Sequence, residues 1–179
     1  MRFLDARPVE FIAPADPTDP KTRWLIRPIS FFDVLDIEKE AGKPPVRGTK
    51  LYFSLVPPEE PIPKNETKEQ EEARLVRRST AFRDAYLALS EEDKAEVDEA
   101  KAYLARYNFF VCCRGIVAID GEKLSRDQVA ERLALMTPRS DIPAILAEVS
   151  NAIGALAQGE TEKKSSSGSP VGSTSTPRA

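Results

Sequence analysis

Apolar positions change their spacing along this chain, and each spacing predicts a different element. Val9-Glu10-Phe11-Ile12 and Arg23-Trp24-Leu25-Ile26-Arg27 alternate with the period of two expected of strands. Between them, Pro14-Ala15-Asp16-Pro17-Thr18-Asp19-Pro20 is loop chemistry, because proline fixes φ and lacks the ladder N–H. The pair predicts an N-terminal β-hairpin that needs a packing partner, since a lone hairpin is marginal in water.

The spacing then turns helical. Ser30 is a good N-cap, Phe31, Val34, Leu35 and the stem of Glu38 share a face, and Gly42 stands where a helix ends. Residues 43–65 hold six prolines around Leu51-Tyr52-Phe53-Ser54-Leu55-Val56, and read as a long loop with one docked or strand-like piece. Leu75, Ser79, Phe82, Tyr86 and Leu89 mark a helix over residues 66–89. Ser90 and Asp93 form a weak capping box before a helix over 91–114, with Val97, Ala100, Leu104, Tyr107 and Val111 inward. Ile116 to Gly121 reads as a loop ending in an Asp-Gly turn. Ser125 caps a short helix with Val129, Leu133 and Met136 inward, and Pro138 breaks it. Ser140 or Asp141 caps the last helix, with the apolar stripe Ile142, Ile145, Leu146, Val149, Ile153 and Leu156. After Gly159 the chain is Ser-, Gly-, Thr- and Pro-rich and is expected to be disordered.

The expected architecture is therefore mainly α with a small N-terminal β-hairpin. It divides into a hairpin and short helix at 1–42, a proline-rich loop at 43–65, a helical, bundle-like domain at 66–158 and a disordered tail at 159–179.

Composition narrows the functional classes. A net charge of −3 lacks the basic excess of a dedicated nucleic-acid binder. Cys112 and Cys113 are adjacent, a poor geometry for an ordinary disulfide, and two ligands without histidine do not close a zinc site. They read as core packing in a reduced compartment. The first residues lack an apolar segment of the signal-peptide kind, and no run reaches the length of a bilayer span.

Candidate chemistry is sparse. The chain has no histidine, which removes the usual general base and the Ser-His and Cys-His pairs. Gly48-Thr49-Lys50 lacks the spacing of a phosphate loop, and Asp120-Gly121 in calcium-loop register puts Ile116 and Ala118 at ligand positions. The acidic run Glu91 to Glu99 reads as a solvated face, and Arg74, Arg77 and Arg78 as ion-paired or, alternatively, phosphate-contacting residues. An enzyme is not expected, nor a cofactor, metal or small-molecule substrate. Trp24 is either the anchor of the hairpin or an exposed hot spot, and Phe53 either docks or recognises. The stripe Ile142, Ile145, Leu146, Val149, Ile153, Leu156 is either core or a partner-binding face.

Three stretches give the chain a family likeness. Phe11-Ile12-Ala13-Pro14 through Trp24-Leu25-Ile26-Arg27-Pro28-Ile29-Ser30, the charged helical middle, and Arg114 to Gly121 followed by two short helices and a polar tail together resemble tail assembly chaperones of long-tailed, siphovirus-like bacteriophages. The likeness covers most of residues 1–158, and the proline-rich stretch 43–65 departs from it. It implies binding of the tape measure protein in the host cytoplasm and recruitment of tail tube subunits. It also implies synthesis in two lengths by ribosomal frameshifting, the polar tail being the end of the shorter form or a linker to the extension. It assigns no site residues. The rival expectations are a structural virion component (a head-tail connector or minor tail protein) and a small DNA-binding regulator. Self-association is left open.

Overall fold

A computed structural model describes residues 7–58, 65–136 and 140–165, the last eight of these in backbone only. Its described residues form six helices and one four-stranded antiparallel sheet, so the chain is mainly α with a small β component. The expected hairpin is present. Strand β1 (Val9–Ile12) pairs antiparallel with β2 (Arg23–Ile26), with Phe11 opposite Trp24.

The hairpin finds its partner where a loop was expected. Ile116–Ile119 is strand β3, which lies antiparallel to β2 with Trp24 opposite Ile119, and Glu122–Lys123 is β4. Between them Asp120 (φ 49°) and Gly121 (φ 84°) both take positive φ, as a two-residue hairpin turn of this hand requires. The β2–β3 register shifts by one residue, leaving Val117 without an opposite. Asp120 closes the corner: its N–H donates to the Arg23 carbonyl and its Oδ1 accepts from Arg23 N–H, both at 2.8 Å.

The proline-rich stretch also differs from expectation. Val46–Leu55 is a helix, α2. Pro44 and Pro45 precede it and Pro57 and Pro58 follow it, so the prolines punctuate a helix whose interior contains none. Residues 59–64 of that stretch lie outside the described residues.

The other helices follow their caps. Helix α1 (Phe31–Ala41) begins with Ser30 Oγ accepting from Asp33 N–H and Asp33 Oδ2 accepting from Ser30 N–H, and Gly42 at φ 87° follows its end. Its buried positions are Ile37 and Ala41 rather than Phe31 and Leu35, so the inward face is rotated from the one expected. Thr67 and Gln70 make a reciprocal capping box before α3 (Lys68–Leu87), and Ser90 with Asp93 caps α4 (Glu91–Gly115). Ser125 and Gln128 do the same for α5 (Arg126–Met136), where Val129 and Leu133 are buried. Helix α6 runs Ile142–Ser165, past Gly159, where disorder was expected to begin. Its continuation there is rich in the good helix formers Glu and Lys. Pro138 and residues 166–179 lie outside the described residues. Among the described residues no helix is long and apolar enough to cross a membrane.

The compact units are not the segments expected from chain order. One comprises residues 1–37 and 108–179, and the other, residues 38–107, is inserted within it. The chain leaves the first within α1 and returns within α4, so the expected 66–158 domain is divided at residue 107.

In the first unit the sheet and the end of α4 share a core with α5 and α6. Trp24, Ile26, Val111, Cys112, Ile116, Ile119, Val129 and Leu133 are buried there. Gly115 lets α4 meet α6 closely, since a Cβ on it would overlap the side chain of Ile153. The β1–β2 loop is held down by Asp16, which accepts from Thr18 N–H (3.0 Å), Thr18 Oγ1 (2.7 Å) and Thr22 N–H (2.9 Å), while Ala15 N–H donates to Glu148 on α6 at 2.9 Å.

In the inserted unit, α2 lies on α4 through Gly48, where a Cβ would overlap the Glu96 carbonyl, and Val97, Ala100 and Tyr103 are buried on α4. Tyr52 stacks edge-on against Phe82 of α3 at 5.8 Å. The α3–α4 pair is tied by Tyr86 Oη donating to Asp98 at 2.8 Å, with the Lys101 ammonium over the Tyr86 ring at 4.2 Å.

Candidate partner-binding surfaces

The apolar stripe singled out on the last helix is core. Ile142, Ile145, Leu146, Val149 and Ile153 are all buried, and Leu156 is half-buried. Of the two readings given to it, core and partner-binding face, burial supports core, and Gly115 and Cys112 of α4 lie against it. Cys112, facing it, donates through Sγ to the Leu146 carbonyl at 3.5 Å. The physical reason is that the end of α4 lies close against α6, where a Cβ on Gly115 would overlap the side chain of Ile153.

Other candidates fall in place by their contacts. Trp24 is fully buried on the second of the four strands and is an anchor, not an exposed hot spot. Burial drives the Cys112 thiol far above its ordinary pKa, with Cys113 adding to the rise, so it carries no thiolate near neutral pH. Arg74 is buried and donates to Glu66 in two bonds of 2.8 and 3.0 Å, and the Glu66 carboxyl is lowered by this partner. Arg78 donates to the Pro57 carbonyl at 3.4 Å. Arg74 and Arg78 are thus engaged in holding α3 to the segment that precedes it. Among the described residues no group of three His, Cys, Asp or Glu is placed to hold a metal.

What remains apolar and open is on other helices. In the first unit, Phe31 and Phe32 occupy the first turn of α1, 71% and 72% exposed, stacked edge-to-face at 6.0 Å. Leu35 is exposed one turn on. Beneath them Asp33 is lowered from its ordinary value. Burial opposes this, and it is outweighed by hydrogen bonds from Ser30 and by the charges of Arg27 and Arg114. The aromatic pair thus sits on a turn fixed by a cap and an ion cluster, with Arg114 Nε 4.0 Å from Asp33.

In the inserted unit, α3 exposes Leu75, Val76 and Leu87, and of the expected stripe only Phe82 and Tyr86 near its end and Leu89 just beyond it are half-buried. Helix α2 exposes Val46 (62%) and Phe53 (59%). Beside Val46 runs an open groove of about 640 Å³ lined by Val46, Arg47, Lys50, Leu51 and Ser54. Arg47 is held at its rim by Glu92 (2.9 Å) and Asp93 (2.6 Å). Sequence reasoning missed these α2 residues because the flanking prolines masked the helix. The usable signal was the proline-free, acid-free run from Val46 to Leu55.

Large apolar side chains exposed in clusters mark surfaces that bind other macromolecules more often than surfaces that do chemistry. Comparisons of the chain with protein-family models, with curated proteins and with solved structures find no match.

Proposed function

We propose that this chain is a non-enzymatic tail assembly chaperone of a long-tailed bacteriophage. It acts in the host cytoplasm by binding the tape measure protein and helping to recruit tail tube subunits. The observation that carries the reading is the set of rigidly mounted, exposed apolar side chains on capped helices, Phe31 and Phe32 foremost. A holdase for long apolar helices needs such faces. It also needs enough net charge to stay dispersed, which the −3 balance supplies. Binding a client that would otherwise self-associate shifts its equilibrium by mass action and requires no catalytic group. The N-terminal hairpin running into a helix, and the charged helical middle, support the same reading through the family likeness.

The test is co-expression of the N-terminally tagged chain with the tape measure candidate encoded beside it. The expected result is a soluble co-eluting complex with a client that is insoluble alone. Replacing both Phe31 and Phe32 by serine should cut recovered client by about tenfold, the effect of losing two exposed aromatic anchors, without lowering the chain's own melting temperature. No co-elution, and a client equally soluble with and without the chain, would remove the reading. Finding the chain in purified particles by mass spectrometry would favour a structural virion component instead.

A further inference from the structure

Among the described residues the sheet ends in two edge strands, and the chain treats them differently. Strand β4 is two residues long, Glu122 and Lys123, and Glu122 is ion-paired with Arg132 of α5 at 3.3 Å. Shortness and charge are the usual protection of an edge against other strands. Strand β1 at the other edge, Val-Glu-Phe-Ile, has no lysine and no proline, and exposes Val9, Glu10 and Ile12. Val9 is exposed although its cross-strand partner Ile26, on the same face of the sheet, is buried.

The bonding of β2 fixes which backbone groups of β1 are free. The Arg23 carbonyl accepts from Asp120 N–H, and Arg27 N–H donates to the Gly115 carbonyl, so both residues turn toward β3. Backbone groups alternate sides along a strand. Trp24 and Ile26 therefore bond to β1, through their partners Phe11 and Val9. The N–H and C=O of Glu10 and Ile12 then point out of the sheet. The next outward residues are Pro8 and Pro14, which have no N–H. The free edge is thus symmetric about Phe11, with a complete donor and acceptor one residue to either side and a proline three residues to either side.

That symmetry selects a second copy of the same strand. Three antiparallel two-fold registers bring these residues together. Centred on Glu10, two carboxylates stand side by side, and the Ile12 carbonyl meets Pro8 and finds no donor. Centred on Ile12, the Glu10 carbonyl meets Pro14 and finds none. Centred on Phe11, Glu10 of each copy exchanges two hydrogen bonds with Ile12 of the other, so all four N–H groups and all four carbonyls are used. Phe11 then faces its own equivalent, Val9 is covered by Ala13, and the ladder stops at proline on both sides. We propose that β1 pairs with β1 of a second copy in this last register, joining two four-stranded sheets into one across a two-fold axis. The pairing does not rest on the chaperone reading.

An interface of this size makes a weak dimer. By analytical ultracentrifugation the mass should rise toward twice that of the monomer between roughly 1 µM and roughly 1 mM chain. Ile12→Pro removes an outward N–H that β2 does not use, so it should melt with the dilute wild type and weaken the dimer by about tenfold or more. Oxidation reads the register. Glu10→Cys and Ile12→Cys, both at exposed positions, should each give no disulfide-linked dimer alone and should give one when mixed, because directly opposed Cα atoms lie about 5.5 Å apart. Cys112 and Cys113 are buried, and the wild type should give no such product. A monomer at every concentration, a dimer unmoved by Ile12→Pro, or linking by either cysteine variant alone as readily as by the mixture overturns the proposal. A chain that stays monomeric, and whose Glu10 and Ile12 amides gain exchange protection only on adding a client, also overturns it and gives the edge to that client.

Discussion

Asp16 shows how one carboxylate can organise a proline-rich loop. Its side chain is 2% exposed, and burial alone would raise its pKa. The hydrogen bonds from Thr18 and Thr22 win, and lower it from 3.8 to about 2. Because the folded value lies below the ordinary one, the stabilisation is complete above about pH 4 and is lost as pH falls toward about 2. The shift corresponds to about 2 kcal/mol. Asp16→Ala should therefore lower stability by about that amount at pH 7, measured by urea unfolding, and should flatten the acid limb of the stability curve between about pH 4 and about pH 2. An acid limb of unchanged slope in the variant would show that the loop is held by other groups.

Elements were legible where their local chemistry was complete. The hairpin, the Ser caps at Ser30, Ser90 and Ser125, and the buried faces through Val97, Val129 and Val149 follow from spacing, and the structure places them as expected. Helix α2 was hidden because prolines at its two borders carry the same letters as prolines inside a loop. Strand β3 was hidden because it follows α4 without a break, and four apolar residues in a row have no period of their own. Periodicity locates an apolar stripe on α6 but is silent on what covers it, so core and partner-binding face are both compatible with the spacing, and burial decides for core. Gly48 gives a check on α2 as an element. Its position against the Glu96 carbonyl leaves no room for a methyl group, so Gly48→Ala should destabilise the inserted unit by roughly 1–3 kcal/mol despite the better helix propensity of alanine. Retained or raised thermal stability in that variant would mean that α2 does not lie on α4.

At the scale of the molecule, the two compact units allow binding defects to be separated from folding defects. Val149 is fully buried on α6, and Trp24, the only tryptophan, is fully buried in the same unit. Val149→Asp places an unpaired charge in that core and should cost about 4 kcal/mol or more, seen as a red-shifted Trp24 emission in the absence of denaturant. Leu135→Asp, at a residue 79% exposed, should leave the emission unchanged, and a red shift there would contradict the placement of α5. On the proposed chaperone function, loss of client by a variant of the α6 stripe thus reports unfolding, whereas loss by a variant of the exposed Phe31 or Phe32 reports the surface. The sheet order has its own consequence during synthesis. Strand β2 pairs on one side with β1 and on the other with β3, some ninety residues later in the chain. At ribosomal speeds of about 5–20 residues per second, the free edge of β2 waits on the order of 5 to 20 seconds for its neighbour to be made. Throughout that interval the nascent hairpin presents Trp24 and an open row of backbone donors and acceptors to its surroundings, an edge with which any other extended chain can pair until β3 is made.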